Sequence, residues 1–271
     1  MTVLTLPYSA APARLAGVVR RIPVTIGYLS LLALASWLLS RLDHDTRDSV
    51  VRHASTNLDN LGRLHVGTLL TSAFVMTSAP TLAWWCGIVA LLAGVELRLG
   101  SRRLAFAFLA GHVGATLLVA AGLATGVKAG WVDGGVSGTV DVGVSYGLMA
   151  VIGLLVATLP ARLQPLWAGL WLTAAGIAVS EGRDFTSVGH LLALTIGLLA
   201  AIRVRRRSRP VDGGGFGWTV AGGVAAGGAL AWGSDLDGTG PVLVIGATVV
   251  AATLGSLLLR YRQSRSPEPA G

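Results

Sequence analysis

Long uncharged runs alternate with short charged clusters along this chain. A helix needs about 20 apolar residues to cross the hydrocarbon core of a bilayer, and each run approaches that length. The pattern predicts an all-α, polytopic membrane bundle with a six-helix core and two extra C-terminal helices. The eight predicted spans are Ile22–Ser40, Thr81–Glu96, Leu104–Thr125, Val142–Leu159, Leu163–Ser180, Phe185–Ile202, Phe216–Gly233 and Pro241–Leu259.

The spans divide the chain into five predicted segments. A cytoplasmic segment at 1–21 precedes the six-helix membrane domain at 22–202. A basic cytoplasmic linker at 203–215 then leads to the two additional helices at 216–260. A Ser- and Pro-containing cytoplasmic tail at 261–271 is expected to be disordered.

Two stretches between the first and second spans have a different pattern. Arg41–Arg63 carries apolar residues at helical spacing between charges, which predicts an amphipathic helix on the outer surface. Val66–Ala79 is apolar but ends at Pro80, and it is predicted to enter the membrane only partly.

Composition supports the membrane interpretation. The chain is 53% hydrophobic and only 13% charged, which excludes an ordinary soluble domain. Its 37 glycines suit closely packed membrane helices. The single cysteine, Cys86, excludes an internal disulfide framework. His44, His53 and His65 are too scattered for a metal site, so neither a metal nor a cofactor is expected.

Arginine clusters give the predicted orientation. They lie at alternate ends of the spans, and the acidic residues lie mostly at the other ends. The positive-inside rule therefore places both termini in the cytoplasm of a multi-pass plasma-membrane protein. This arrangement also explains the net charge of +8 without nucleic-acid binding. Arg20 and Arg21 before a long span with no evident cleavage site predict a signal anchor.

A serine and a histidine are the strongest chemical candidates. Ser145 lies at the outer start of the fourth predicted span, and His190 lies just inside the outer start of the sixth. At a rise of ~1.5 Å per residue, the two side chains have similar depths in the membrane. Small residues at Gly189, Ala193 and Gly197 predict close helix packing beside the histidine. A neutral His190 can then act as general base for Ser145.

A purely structural interpretation of each residue stays open. Serines in membrane helices commonly bond to their own backbone, and a lone histidine can be a structural hydrogen-bonding group. The string Gly143–Gly147 also lacks the strand that precedes a soluble hydrolase elbow. The matching depth and the matching glycine neighbours favour the pair over either residue alone.

Three motifs together resemble the rhomboid intramembrane serine proteases. Gly143–Gly147 is similar to their GxSx nucleophile motif, and Gly189–Gly197 to their sixth-helix AHxxGxxxG motif. Gly94–Ser101 resembles their G-x-x-E-x-x-x-G turn between helices two and three. The resemblance covers Ile22–Ile202 and implies that Ser145 is the nucleophile and His190 its general base. In composition the chain looks like the divergent rhomboid-like proteins of actinobacteria.

The chain departs from this family pattern at the oxyanion donors. Rhomboid proteases usually carry HxxxN on the second helix, but the corresponding region, Pro80–Trp85, has no His and no Asn. Loss of one oxyanion donor typically costs about 10²–10³ in rate, although backbone amides can supply part of the hole. The first-loop tryptophan–arginine signature is not evident either.

Four further residues are possible supporting groups or neighbours of the pair. His112 can replace an oxyanion donor or orient His190, or it can be structural and bonded to Thr116 or a backbone carbonyl. Gly143 and Tyr146 flank Ser145 and are possible supporting residues. Asp141 can approach a histidine from the loop, but the preferred prediction is a solvated residue near the start of the helix, favoured by the helix dipole.

Three functions are compatible with these features. The first is a rhomboid-like serine endopeptidase that cuts transmembrane substrates near their outer ends. The alternative is a catalytically inactive rhomboid-like protein that binds client helices. A small-solute transporter is third, because the spans show no clear internal repeat. The expected partners are transmembrane substrates or clients and membrane lipids, with a possible homo-oligomer through the glycines of the seventh span.

Overall fold

The computed structural model describes residues 17–76 and 82–205. Helices make up the framework of these ranges, and they contain no β-strand. The helices are α1 (Pro23–Leu39), α2 (His44–Ala54), α3 (Leu58–Gly62), α4 (Thr68–Thr71), α5 (Leu82–Leu99), α6 (Ser101–Lys128), α7 (Ser145–Leu155), α8 (Gln164–Gly182) and α9 (Phe185–Arg205). Short 3₁₀ turns lie at Ser72–Phe74, Gly134–Gly138, Val156–Thr158 and Ala161–Leu163.

Several of these helices suit a membrane. In the described part, three segments are long and apolar enough to cross a bilayer: Ser101–Lys128, Ala161–Gly182 and Phe185–Val204. Two shorter apolar segments are Pro23–Leu39 and Ser145–Thr158. The all-helical membrane prediction is therefore confirmed, while the count of six plus two spans stays a prediction. The last two predicted spans lie outside the described residues.

Helix boundaries follow the hydropathy pattern, with exceptions at both ends of α6 and at the start of α7. α6 runs from Ser101 to Lys128 and is longer at both ends than the predicted span Leu104–Thr125. α7 begins at Ser145, three residues later than predicted. The reason is Gly143, whose φ of 130° is incompatible with a helix. The amphipathic stretch Arg41–Arg63 forms α2 and α3.

A buried carboxylate holds three helix ends together on one face of the bundle. Glu96, near the end of α5, is 1% exposed. It accepts hydrogen bonds from the backbone N–H groups of Val24 (2.9 Å) and Thr25 (2.7 Å) at the start of α1. It also accepts from the hydroxyls of Thr25 (2.6 Å) and Ser101 (2.7 Å). Gly100, with φ 85°, makes the turn into α6. We call this arrangement the Glu96 corner.

The centre of the bundle is α7, which packs against α6 and α9 through glycines. Every residue of α7 from Tyr146 to Leu155 is buried. A Cβ on Gly153 would lie 2.5 Å from the Leu194 carbonyl oxygen of α9. A Cβ on Gly197 of α9 would overlap the Ala150 carbonyl of α7. The two helix backbones are therefore in direct contact, as membrane helices with small residues can be.

Candidate active site

Ser145 is the first residue of α7 and is partly buried. The turn before it is fixed by Gly143, whose N–H donates to the Ser72 carbonyl oxygen at 2.8 Å. The first backbone N–H groups of a helix have no partner within the helix. The serine therefore lies beside free backbone donors at the positive end of the helix dipole.

His190 lies in the second turn of α9. Its Nε2 atom is buried and has no hydrogen-bond partner in the described part of the chain. The ring meets the Tyr146 ring edge-on, with centroids 5.4 Å apart and an interplanar angle of 81°. The neighbouring Gly189 gives the tyrosine room, because a Cβ there would overlap the Tyr146 ring.

The packing of α7 on α9 brings the residue after Ser145 against the residue before His190. Tyr146 lies against Gly189 and Ala150 against Gly197, so the two helices run parallel in a fixed register. Ser145 precedes the tyrosine, and His190 follows the glycine that the tyrosine contacts. His190 Nε2 makes no hydrogen bond to the Ser145 side chain in this structure. Catalytic hydrogen bonds often tighten only when substrate binds.

His112 lies on α6 with its ring 6.5 Å from that of Tyr146. It is 2% exposed, and its Nε2 atom lies 3.1 Å from the Ser72 hydroxyl. The predicted structural partners were Thr116 or a backbone carbonyl. The Leu69 backbone lies near the His112 ring, in keeping with the second of these partners. The Ser72 contact was not predicted, and it arises because the segment after α4 folds against α6.

Ser72 was not predicted as a member of the site. Its hydroxyl lies 2.9 Å from that of Thr56, which is also 2.7 Å from the Thr68 carbonyl oxygen. The Ser72 carbonyl accepts the N–H of Gly143. The signal in the sequence is the group of hydroxyl residues in an otherwise apolar run, Thr68, Thr71 and Ser72. The residue thus links the segment after α4 to the turn that carries Ser145.

Asp141 was predicted to be solvated, and the structure corrects this. Its N–H donates to the Ser55 hydroxyl at 2.7 Å, and its carbonyl accepts the Thr56 N–H at 3.0 Å. These bonds hold the loop against the segment after α2 and partly bury the side chain. Burial raises the pKa of the Asp141 carboxyl to about 6, against an opposing influence from the nearby Tyr146 hydroxyl.

Tyr146 is the residue that contacts most of the other candidates. It is 3% exposed, and its hydroxyl is buried without a hydrogen bond of ordinary geometry. The side chains of Asp141 and Thr186 lie near that hydroxyl. Asp184, at the start of α9, is exposed and bonds through both carboxylate oxygens to Ser187.

Neither a metal site nor the usual oxyanion side chains appear in the described part of this region. No group of three or more metal-ligating side chains is found among the described residues. Trp84 and Trp85, at the end of the region where HxxxN was sought, pack edge-on with ring centroids 5.4 Å apart. The donors for an oxyanion would therefore have to come from elsewhere, such as the backbone at the start of α7.

Comparison with known proteins gives one family match. The family model described as "rhomboid-like protein" matches residues 17–210. Neither the curated proteins nor the solved structures gave a match.

Proposed function

The chain belongs to the rhomboid-like protein family, and on that premise we propose that it is an intramembrane serine endopeptidase. Ser145 is the nucleophile and His190 the general base. The family itself points to an intramembrane protease or a pseudoprotease. The protease is favoured by one observation, the parallel packing of α7 and α9, which brings the residue after Ser145 against the residue before His190.

The chemistry follows from these positions. His190 Nε2 takes the proton of Ser145 Oγ as the oxygen attacks the substrate carbonyl carbon. The tetrahedral oxyanion is stabilised by the backbone N–H groups at the start of α7, which also carries the positive end of the helix dipole. Protonated His190 then gives its proton to the leaving amine. A water activated by the same histidine releases the acyl group from the serine.

A buried, unpartnered imidazole nitrogen supports this role. A structural histidine normally satisfies both ring nitrogens, because an unpaired buried polar atom costs about 1–3 kcal/mol. His190 Nε2 is left without a partner in the described part of the chain. In a serine protease, this nitrogen stays without a structural partner because it accepts the proton of the nucleophile.

The proposed membrane setting follows from the charges. The starts of α7 and α9 lie at the face opposite the Glu96 corner, beyond which lie Arg98, Arg102 and Arg103. We place the arginine-rich face in the cytoplasm of the plasma membrane, which puts Ser145 near the outer surface. Cleavage therefore takes place near the outer ends of transmembrane substrates. Membrane lipids and a second copy of the chain are the other proposed partners.

A second candidate is a catalytically inactive protein that binds client helices. The observation that favours it is the lack of a hydrogen bond between Ser145 and His190, together with the region Pro80–Trp85 that holds neither His nor Asn. Such a protein would keep the helix contacts of the fold and lack only the proteolytic activity.

Labelling with a fluorophosphonate separates the two candidates. We expect purified wild-type protein to be labelled, and Ser145→Ala and His190→Gln to abolish or strongly slow the labelling. Ser187→Ala, a serine at the start of the histidine helix, is the matched control and should label like the wild type. A folded wild type that takes up no label would favour the inactive protein.

A further inference from the structure

A row of aromatic rings crosses the candidate site. The rings of His112, Tyr146 and His190 follow one another in space. Their centroids are 6.5 Å apart between His112 and Tyr146, and 5.4 Å apart between Tyr146 and His190. Each ring carries a buried polar atom without a hydrogen bond of ordinary geometry in the described part of the chain: His112 Nδ1, Tyr146 Oη and His190 Nε2. The tyrosine lies between the two histidines. A group that holds its hydroxyl in place therefore also holds the ring that packs against His190.

Asp141 is placed to be that group. Its backbone is held on both sides by Ser55 and Thr56. Its carboxylate and the Thr186 hydroxyl both lie close enough to the Tyr146 hydroxyl to interact with it, and of these two neighbours only the carboxylate can carry a negative charge. Asp184, the other nearby carboxylate, is already bonded through both oxygens to Ser187.

Asp141 lines a cavity that lies between the segment after α2, the later part of α6 and the start of α9. Its lining includes Thr56, Asn57, Leu123, Thr139, Asp141 and Phe185. A partly buried carboxylate costs folding free energy. Such a cost is typical of residues kept for function at the expense of stability.

We propose that Asp141 is a positioning residue of the candidate site. Its carboxylate accepts a hydrogen bond from the Tyr146 hydroxyl, and this bond holds the tyrosine ring against the edge of His190. The imidazole is thereby kept in the orientation that its exchange of a proton with Ser145 requires. The inference rests on the proposed protease function, and it adds a third residue to the serine and histidine.

The active form in this proposal has an ionised Asp141. The titratable groups around it are Tyr146 on α7, His190 and Asp184 on α9, and His112 on α6 behind the tyrosine. The segment after α2 contributes the neutral Ser55 and Thr56. His190 is present in the wild type and in an Asp141 variant alike, so the ratio of their labelling rates reports the contribution of Asp141.

The test compares fluorophosphonate labelling of Asp141→Asn, Tyr146→Phe and the double variant in the full-length protein. We expect each single change to slow labelling about tenfold at pH 7.5, a loss typical of one supporting hydrogen bond. The double variant should be no slower than the slower single variant, because both changes remove the same interaction. Asp133→Asn is the matched control, since Asp133 is an exposed residue of the same loop that bonds to the Gly135 N–H.

The pH profile gives a readout that a purely structural residue would not change. The ratio of wild-type to Asp141→Asn labelling rates should be largest above pH 7 and approach one below about pH 5. The proposal would be overturned if Asp141→Asn labelled at the wild-type rate, or if the ratio of the two labelling rates did not depend on pH. It would also be overturned if the losses in labelling rate of the two single variants multiplied in the double variant.

A wild type that takes no label would contradict the proposed function but still leaves a decisive readout here. The imidazole ¹⁵N signals of His190, assigned by their loss in His190→Gln, report the environment of the ring directly. They should shift in Asp141→Asn and not in Asp133→Asn. Signals that are the same in Asp141→Asn as in the wild type would overturn the positioning role.

Discussion

The Glu96 corner and the Ser145–His190 site are both buried polar regions, but only one is satisfied. At the corner, two backbone N–H groups and two hydroxyls all donate to one carboxylate. At the site, Tyr146 Oη and His190 Nε2 are both buried without a hydrogen bond of ordinary geometry in the described part of the chain, although Asp141 and Thr186 lie near the tyrosine hydroxyl. The two regions lie at opposite ends of the bundle.

The difference separates a structural role from a chemical one. Buried polar groups are normally paired because each unpaired group costs free energy. The corner follows this rule and holds the starts of α1 and α6 against the end of α5. The site departs from it at Tyr146 Oη and His190 Nε2, where the parallel helices α7 and α9 pack together. We therefore expect changes at the corner to alter stability, and changes at the site to alter labelling.

The largest expected effect is at the corner. Glu96→Gln replaces one acceptor oxygen by an amide that faces donors, and we expect a loss of about 3 kcal/mol in unfolding free energy. Thermal unfolding in detergent measures it. Glu181→Gln, an exposed acidic residue of α8, is the control and should change little. Folded Glu96→Gln protein should label at the wild-type rate, and a labelling loss without a stability loss would break the comparison.

Next in size is the contact between α7 and α9. Gly197→Ala places a Cβ against the Ala150 carbonyl, so the helices must separate, at a cost of about 2 kcal/mol. Because the same contact aligns Ser145 with His190, labelling of the folded fraction should also fall. Gly176→Ala on α8 has open space around its Cβ and should be neutral. If the two variants behave alike, the helix contact does not position the site.

Ser72→Ala sharpens the boundary between the two roles. It leaves the His112 Nε2 atom buried without its partner, and we expect a loss of about 1 kcal/mol. Labelling of Ser145 should survive, because the Ser72 carbonyl still accepts the Gly143 N–H. Paired melting and labelling curves test this. A variant that is as stable as the wild type but cannot be labelled would show that Ser72 takes part in catalysis.

The smallest expected effect has the opposite sign. The folded pKa of Asp141 is raised from 3.8 to about 6, so the fold binds this proton more tightly than the unfolded chain does. The associated stability is present below about pH 4 and lost as pH rises through 6. Asp141→Asn should thus be about 0.5–1 kcal/mol more stable than wild type at pH 8, after allowance for partial exposure. The gain should vanish at pH 4, and chemical denaturation at both pH values measures it.

Sequence patterns predicted the helices better than the polar contacts. Apolar runs locate α1, α6 and α9, since crossing a bilayer imposes a length on each. The glycines at 189 and 197 also predicted the close approach of α9 to α7. The delayed start of α7 escaped the prediction because hydropathy does not register the backbone angle at Gly143.

Contacts between residues distant in sequence explain the rest. Ser72 meets His112 across 40 residues, and Asp141 is held by Ser55 across 86. Such pairs leave no periodic signal, so Asp141 was expected in solvent and Ser72 was not expected at the site. Burial depends on how the segments after α2 and α4 fold against α6, and that arrangement is a property of the whole bundle.

The most direct test of the account is to map the fluorophosphonate adduct by peptide mass spectrometry. Two serines compete as sites of labelling: Ser145, which the account pairs with His190, and Ser72, whose hydroxyl lies 3.1 Å from His112 Nε2. The account predicts that the adduct mass lies on the peptide containing Ser145 and disappears in His190→Gln. An adduct on Ser72, or one on Ser145 that persists without His190, would contradict it.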